Sequence, residues 1–388
     1  MGVGDASART GAPSSPAGLP PGGGVGGLTR SGGEGAPWRI IDWLRRNLFG
    51  SITNALLTLV VLGLIGLVLP PFLRWAITNA SLAGDARSAC GPDGACWTFI
   101  KLRMSGFFYG HYPVEERWRV DLAAVLLFLF SLPVMRDRVR RRWLKVLLLL
   151  TFFPMLAGLL LVGGVPGLPE VDTNLWGGLM LDFVISFVTV AGSLPLGIAL
   201  ALGRRSALPI VRLLSVCFIE LWRGVPLLTV LFMSAIIVPL FLPHGMSIDR
   251  LIRAMAALVL FNAAYMAEVV RGGLQGVAAG QEEAAYSVGL RWWHVQAFVV
   301  LPQALRYVVP SLINTIVDLF KDTTLVTIIG LFDLLGAVNQ ALKDPAWLGF
   351  AKEGYVFATV VFFVCCFAMT SYSRSFERRL NRYRTGQR

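Results

Sequence analysis

Charge is the scarcest resource in this chain. Only 15% of its 388 residues are Asp, Glu, Lys or Arg, and hydrophobic residues make up 55%, against about 25% and about 45–50% in ordinary globular proteins. That balance excludes a soluble globular enzyme. Acid is scarcer than base: 23 Asp and Glu against 35 Lys and Arg leave a net charge of +12. The bases punctuate long apolar runs instead of covering a polar surface, which argues against a nucleic-acid partner and fits loops between membrane spans. Histidine and cysteine are few, three and five. His111 is the one further ligand near Cys90 and Cys96, so no metal site is expected. The chain has no Gly-x-x-x-x-Gly-Lys-Ser/Thr phosphate loop and no Gly-Lys pair, which excludes ATP binding by that device. No nucleophile and base stand at recognisable spacing, so no enzyme activity is expected.

What is present is a series of apolar runs. Residues 1–37 are rich in Gly, Pro and Ser with almost no large apolar side chains, a composition expected to stay disordered. Trp38 to Phe49 alternates aromatic and aliphatic residues with Arg39, Arg45 and Arg46, the pattern of an amphipathic helix lying on a membrane face. A span needs about 20 mainly apolar residues. Eight stretches qualify, near 51–73, 119–135, 144–165, 175–202, 214–242, 251–270, 303–330 and 354–374. The expected fold is therefore all-α and multi-pass, with about eight transmembrane helices.

Loop charge orients these spans. Arg136, Arg138, Arg140, Arg141, Arg142 and Lys145 follow the second span, Arg204, Arg205 and Arg212 the fourth, and six arginines from Arg374 to Arg388 the last. With eight spans all three groups lie on one side, which the positive-inside rule makes cytoplasmic, together with both termini. The long 74–118 loop then lies outside, where a Cys90–Cys96 disulfide around Gly91-Pro92-Asp93-Gly94-Ala95 is chemically allowed. Cys217, Cys365 and Cys366 sit inside apolar runs as small hydrophobes.

One cytoplasmic loop, about 272–302, differs from the rest. Gln281 to Val288 is a good helix former ending at Gly289, a natural C-terminal cap, and Pro302 opens the next span. The spacing Glu283-Ala284-Ala285-x3-Gly289-x9-Val299-x-Leu301-Pro302 resembles the EAA loop of ABC importer permeases. The resemblance covers roughly 175–380. Glu220-Leu221-Trp222-Arg223-Gly224-Val225-Pro226-Leu227-Leu228, Tyr265 to Gly273, Leu301 to Arg306, and Lys321-Asp322-Thr323-Thr324-Leu325 all look like segments of the polar amino-acid permeases. Val225 stands where that family usually has Thr and Val230 where Gln is common, departures that bear on substrate range. Three spans ahead of a five-span core resemble the larger membrane subunit of general L-amino-acid transporters.

The resemblance implies a type I ABC importer core over 171–380. Ahead of it lie an N-terminal extension over 38–170 and the 1–37 tail, and behind it a basic tail at 381–388. It implies a permease in the bacterial inner membrane, with no cofactor of its own. The implied partners are an ABC ATPase dimer that binds the ATP, a second permease subunit (related or identical), a periplasmic amino-acid-binding protein, the amino-acid substrate and the lipid bilayer. In that scheme Gln281, Glu283, Ala284, Ala285, Gly289 and Pro302 couple the loop to the ATPase. Glu283 makes the polar contact, Ala284 and Ala285 permit close packing, and Gly289 sets the angle between two short helices. An ion-coupled secondary amino-acid transporter is the alternative; it leaves the loop motif unexplained and needs an internal inverted repeat.

Ionisable residues inside spans are functional candidates by default. Glu220 with Arg223, Glu268 with Arg271, and Asp318, Lys321 and Asp322 have helical spacings that permit internal pairing. Glu220, Arg223, Lys321, Asp322 and Thr323 are the candidates for the substrate pathway, since a Lys beside an Asp complements the carboxylate and ammonium of an amino acid. Packing pairs are the competing reading. Asp182 stands alone in its span. Trp292, Trp293 and His294 suit an interfacial belt or the ATPase contact.

Overall fold

The structure, a computed structural model, describes residues 43–135 and 142–385. The 1–37 tail, the start of the 38–49 segment, the arginines at 136–141 and residues 386–388 lie outside those residues. The chain divides into two units between Phe72 and Leu73. In the first, a short helical stretch at 43–48 precedes α1 (Ile52–Leu73), which has no charged residue and no buried one. A helix apolar on every side suits a lipid surround.

The second unit is helical nearly throughout. It contains α2 (Trp97–Tyr109), α3 (Arg117–Met135), α4 (Arg142–Val162), α5 (Gly178–Arg204) and α6 (Pro209–Gly224). These are followed by α7 (Leu227–Leu240), α8 (Arg250–Gln275), α9 (Ala279–Ser287), α10 (Leu301–Asp322), α11 (Leu334–Leu342) and α12 (Ala351–Thr385). Four stretches among the described residues are long and apolar enough to cross a membrane: Ile52–Thr78, Gly178–Arg204, Arg250–Gln275 and Ala351–Ser375. A fifth arises if α6 and α7, bent by 101°, form one broken span. The other three expected spans meet helices that are shorter or more charged. The apolar part of α4 is Leu148–Val162; α3 opens on Arg117, Arg119 and Asp121, and α10 contains Arg306, Asp318, Lys321 and Asp322. The expected span at 303–330 stops early, because α10 ends at Asp322 and Thr323–Ile329 continues as a 3-10 helix.

Local chemistry accounts for the breaks. Between α6 and α7, Val225 is extended (φ −105°, ψ 135°) ahead of Pro226, as the clash of a proline ring with the preceding residue requires. α7 contains a π-turn, Met233–Ile237, whose freed carbonyls need donors inside a membrane. Arg253 supplies them, its Nη1 donating to the carbonyls of Ser234 (3.0 Å) and Ala235 (2.7 Å). The Asp249 carboxylate caps α8 by accepting from the Ile252 amide at 3.1 Å, and the Thr173 hydroxyl donates to it at 2.5 Å.

The segment ahead of residue 170 shares its core with the helices C-terminal to it. Tyr112, Ala123 and Leu161 are buried in one cluster with Val171, Trp176, Met180, Leu181, Ile185 and Leu231. Phe99, Ile100 and Phe107 are buried in another with Leu179, Phe320, Leu334, Val338 and Trp347. Cys90 and Cys96 are joined, their Cα atoms 5.3 Å apart. This small ring and the start of α2 after it lie against the 344–353 stretch: the Cys96 amide donates to Glu353 Oε1 at 3.2 Å, Arg103 of α2 pairs with Asp344, and the rings of Phe99 and Trp347 sit 5.3 Å apart.

Candidate functional site

The 272–302 loop is an ordered helix–turn–helix. α8 ends where the Gly276 amide donates to the carbonyls of Gly272 and Gly273. After a short turn α9 runs from Ala279 to Ser287, and Gly289 reverses the chain with φ +83°. Its amide donates to the Tyr286 carbonyl at 2.9 Å and the Leu290 amide to the Ala285 carbonyl at 3.3 Å. Open space surrounds the position a Cβ would take, so a side chain at 289 meets only the left-handed backbone cost, about 1–2 kcal/mol. Gly289→Asn is accordingly expected to keep uptake close to wild type, since asparagine tolerates this conformation, whereas Gly289→Val should lower it severalfold. The comparison is made in vesicles at matched expression.

The second arm begins at Trp292–His294 and passes through a π-turn, Val295–Val300, into α10 without a break in the helical backbone. Pro302 therefore stands in the first turn of α10 directly after that π-turn, where the α-helical hydrogen-bond ladder is already interrupted. The inner face of the loop belongs to the protein's own core: Ala285 is buried with Val270, Leu274, Val295, Val300 and Ala304. Helical spacing turns its methyl inward while Glu283 and Ala284 stay exposed. Gln281 is also exposed and accepts from Gln303 Nε2 at 3.3 Å. Glu282 faces the second arm, accepting from Gln296 Nε2 at 3.0 Å.

Next to the loop, seven residues before the end of α8, Glu268 gathers arginines from three helices. Arg271 donates to its Oε2 at 2.7 Å and Arg204, the last residue of α5, to its Oε1 at 2.6 Å. Arg223 of α6 lies 3.6 Å from the same oxygen and also stands over the Tyr265 ring. The expected Glu268–Arg271 pair forms. The expected Glu220–Arg223 pair does not: Glu220 instead meets Arg204 at 3.3 Å, because α5 brings a nearer cation against α6. Sequence spacing does not single out Arg204 or Glu282, since their partners lie 64 and 77 residues away or across a turn.

The Lys321, Asp322 and Thr323 group is split by the structure. Lys321 pairs with Asp318 at 2.7 Å, both largely exposed, while Thr323 is fully buried and donates toward Asp182 Oδ1 at 2.6 Å. The lone acid of α5 thus has partners, for its Oδ2 also accepts the Leu334 amide at 3.0 Å. Asp333 beside it, buried as well, accepts from Thr327 and from the amides of Leu335 (3.2 Å) and Gly336 (3.0 Å), capping α11. Burial pushes the Asp333 carboxyl up to about 6 against the pull of those donors. Nothing in the sequence marks Asp333 out, because a helix cap is ordinary there. Asp182→Leu removes the acceptor of a buried amide, a loss of about 1–3 kcal/mol. The variant is expected to melt at lower temperature in detergent than Asp182→Asn, which keeps one acceptor.

Residues 193–382 match the family described as "Binding-protein-dependent transport system inner membrane component". The chain is also similar along most of its length to "Inner membrane amino-acid ABC transporter permease protein YhdY" of Escherichia coli (strain K12). That similarity is 50% identity over 347 residues, 89% of this chain and 95% of that protein. This chain belongs to the amino-acid ABC transporter permeases. It is similar as well to "Glutamate/glutamine/aspartate/asparagine transport system permease protein BztC" of Rhodobacter capsulatus, 37% identical over 409 residues, 88% of this chain and 94% of that one. Among solved structures, "Crystal structure of an amino acid ABC transporter with histidines" aligns at a TM-score of 0.47 and 29% identity, over 52% of this chain and 92% of that one.

As a permease of this family the chain is a transport subunit of an ATP-driven importer, a multi-pass protein of the inner membrane. The 193–382 match takes in the end of α5, the Glu268 cluster, the whole loop and α10 to α12. Asp182 and α1 to α4 precede it. The two long relatives, covering 88% and 89% of the chain, necessarily extend over most of that earlier region.

Proposed function

We propose that this permease imports polar or general L-amino acids delivered by a periplasmic binding protein, and that the 281–302 loop couples it to a separate ATPase dimer. The chain spans the membrane with about eight helices, a three-helix extension ahead of a five-helix core, and keeps both termini in the cytoplasm. A second permease subunit, identical or related, completes the pathway, and all the ATP is bound by the ATPase. The observation that carries this reading is the two-sided loop. Its inner face is tied to the permease core through Ala285 and Glu282, while Glu283 and Ala284 stand exposed on an ordered helix. Such an element can take a push from outside and hand it to the spans, the requirement for a nucleotide-driven switch between two states. Glu220 and Arg223 belong with this transmission end rather than with substrate, and Thr323 with the opposite end of α5. The extension braces the core through the two shared clusters.

The test is uptake of labelled L-amino acids into vesicles holding the full chain with its ATPase, partner permease and binding protein. Uptake is expected only with ATP and binding protein together. Uptake that follows an ion gradient and ignores ATP overturns the reading in favour of a secondary transporter.

A further inference from the structure

The end of α5 nearest the loop carries two adjacent arginines that reach in different directions. Arg204 holds Glu268 of α8 and Glu220 of α6. Arg205 leaves the helix and places its Nη2 3.4 Å from Oε2 of Glu282 on α9. The other oxygen of Glu282 is held by Gln296, buried in the second arm of the loop. One carboxylate on the coupling helix is therefore gripped both by the arm behind it and by a span that is not contiguous with the loop in sequence. α5 runs 27 residues from there, about 40 Å at the helical rise. Near its far end Asp182 accepts from Thr323 and from the Leu334 amide, the two points where the segment after α10 turns into α11.

We propose that α5 is a transmission rod and that Arg205 is the positioning residue that ties it to the coupling helix through Glu282. The loop is joined covalently only to α8 and α10. Motion imposed on α9 reaches α5 sideways through the Arg205–Glu282 pair, and α5 carries it to the 323–334 segment through Asp182. Arg204 keeps α5, α6 and α8 together at Glu268 while this happens. Arg205 and Glu282 are both partly exposed, and pairs of that kind contribute little to stability. The pair is therefore suited to directing movement rather than to holding the fold. This inference rests on the coupling-loop reading above.

The test measures amino-acid uptake and ATP hydrolysis in the same proteoliposomes, using a mixture of labelled L-amino acids and the complete complex. The readout is their ratio, which corrects for the amount of complex assembled. Arg205→Glu and Glu282→Arg are each expected to lower the ratio at least fivefold, the double exchange to restore it to within twofold of wild type, and Arg205→Lys to keep most of it. A merely structural role lowers uptake, hydrolysis and melting temperature in proportion and leaves the ratio alone; that result overturns the proposal. So does a double exchange that fails to restore coupling. A wild-type complex without ATP-dependent uptake instead overturns the coupling-loop reading itself, a failure distinct from that of a working wild type with indifferent variants.

Discussion

Glu283→Arg is expected to abolish ATP-driven uptake while leaving the permease folded and inserted. Glu283 is exposed on α9, and substitutions at such positions usually change stability by about 0.5 kcal/mol or less. At an interface the arithmetic differs. Loss of one partner of a charge pair that becomes buried on docking costs about 2–5 kcal/mol, so association with the ATPase should fall roughly thirtyfold or more. Reversal of the charge adds repulsion to that loss. Co-purification of the ATPase with a tagged permease measures it, and unchanged co-purification with full uptake would exclude Glu283 from the interface. The neighbouring Glu282→Arg separates the two acids: its target is the Arg205 and Gln296 contacts inside the permease, so it should retain the ATPase and lose coupling.

Gly178→Ala is expected to be strongly damaging for so small a substitution. Gly178 opens α5 with φ +64°, where an L side chain costs about 1–2 kcal/mol. A Cβ there would also clash with the carbonyl oxygen of Phe107 and sit 3.0 Å from that of Gly106. Both oxygens belong to the last turn of α2, where the Gly106 carbonyl already accepts from the Gly110 amide at 2.9 Å, so neither can retreat without opening that turn. The junction joins three parts at once, because Gly178 also bridges to Asp333. The variant should therefore melt several degrees lower in detergent and lose uptake with it. A second variant, Gly178→Ser, meets the same clash and should behave alike. Melting equal to wild type in both would show that the extension and the core are not locked at this point.

The family, the all-helical class and the loop were legible in the chain as a line of letters, because each rests on signals that neighbours in sequence supply. Apolar runs marked the positions of the helices, and α9 with its glycine reversal was written in Gln281 to Gly289. The break at Val225-Pro226 likewise comes from a clash between adjacent residues. Pair spacing within one helix predicted Glu268 with Arg271 and succeeded, since three residues along a helix are always neighbours. The same reasoning held for Asp318 with Lys321 and failed for Glu220 with Arg223. A side chain takes the nearest opposite charge in space, and for Glu220 that charge arrives on α5.

What only the tertiary structure decided is therefore which side of each local element faces home. Ala285 and Glu282 turn toward the core while Glu283 and Ala284 turn away, a distinction of about 100° per residue that the motif alone does not contain. Arg204 and Arg205 looked like orientation signals in a basic loop and became the joint between α5 and its neighbours. Asp182, alone in its span, acquired partners more than a hundred residues away, and Asp333 emerged beside it. Local sequence determines where helices begin and end because backbone hydrogen bonds close within a few residues. The assignment of polar groups to partners is set by how those helices pack, and packing is a property of the whole chain.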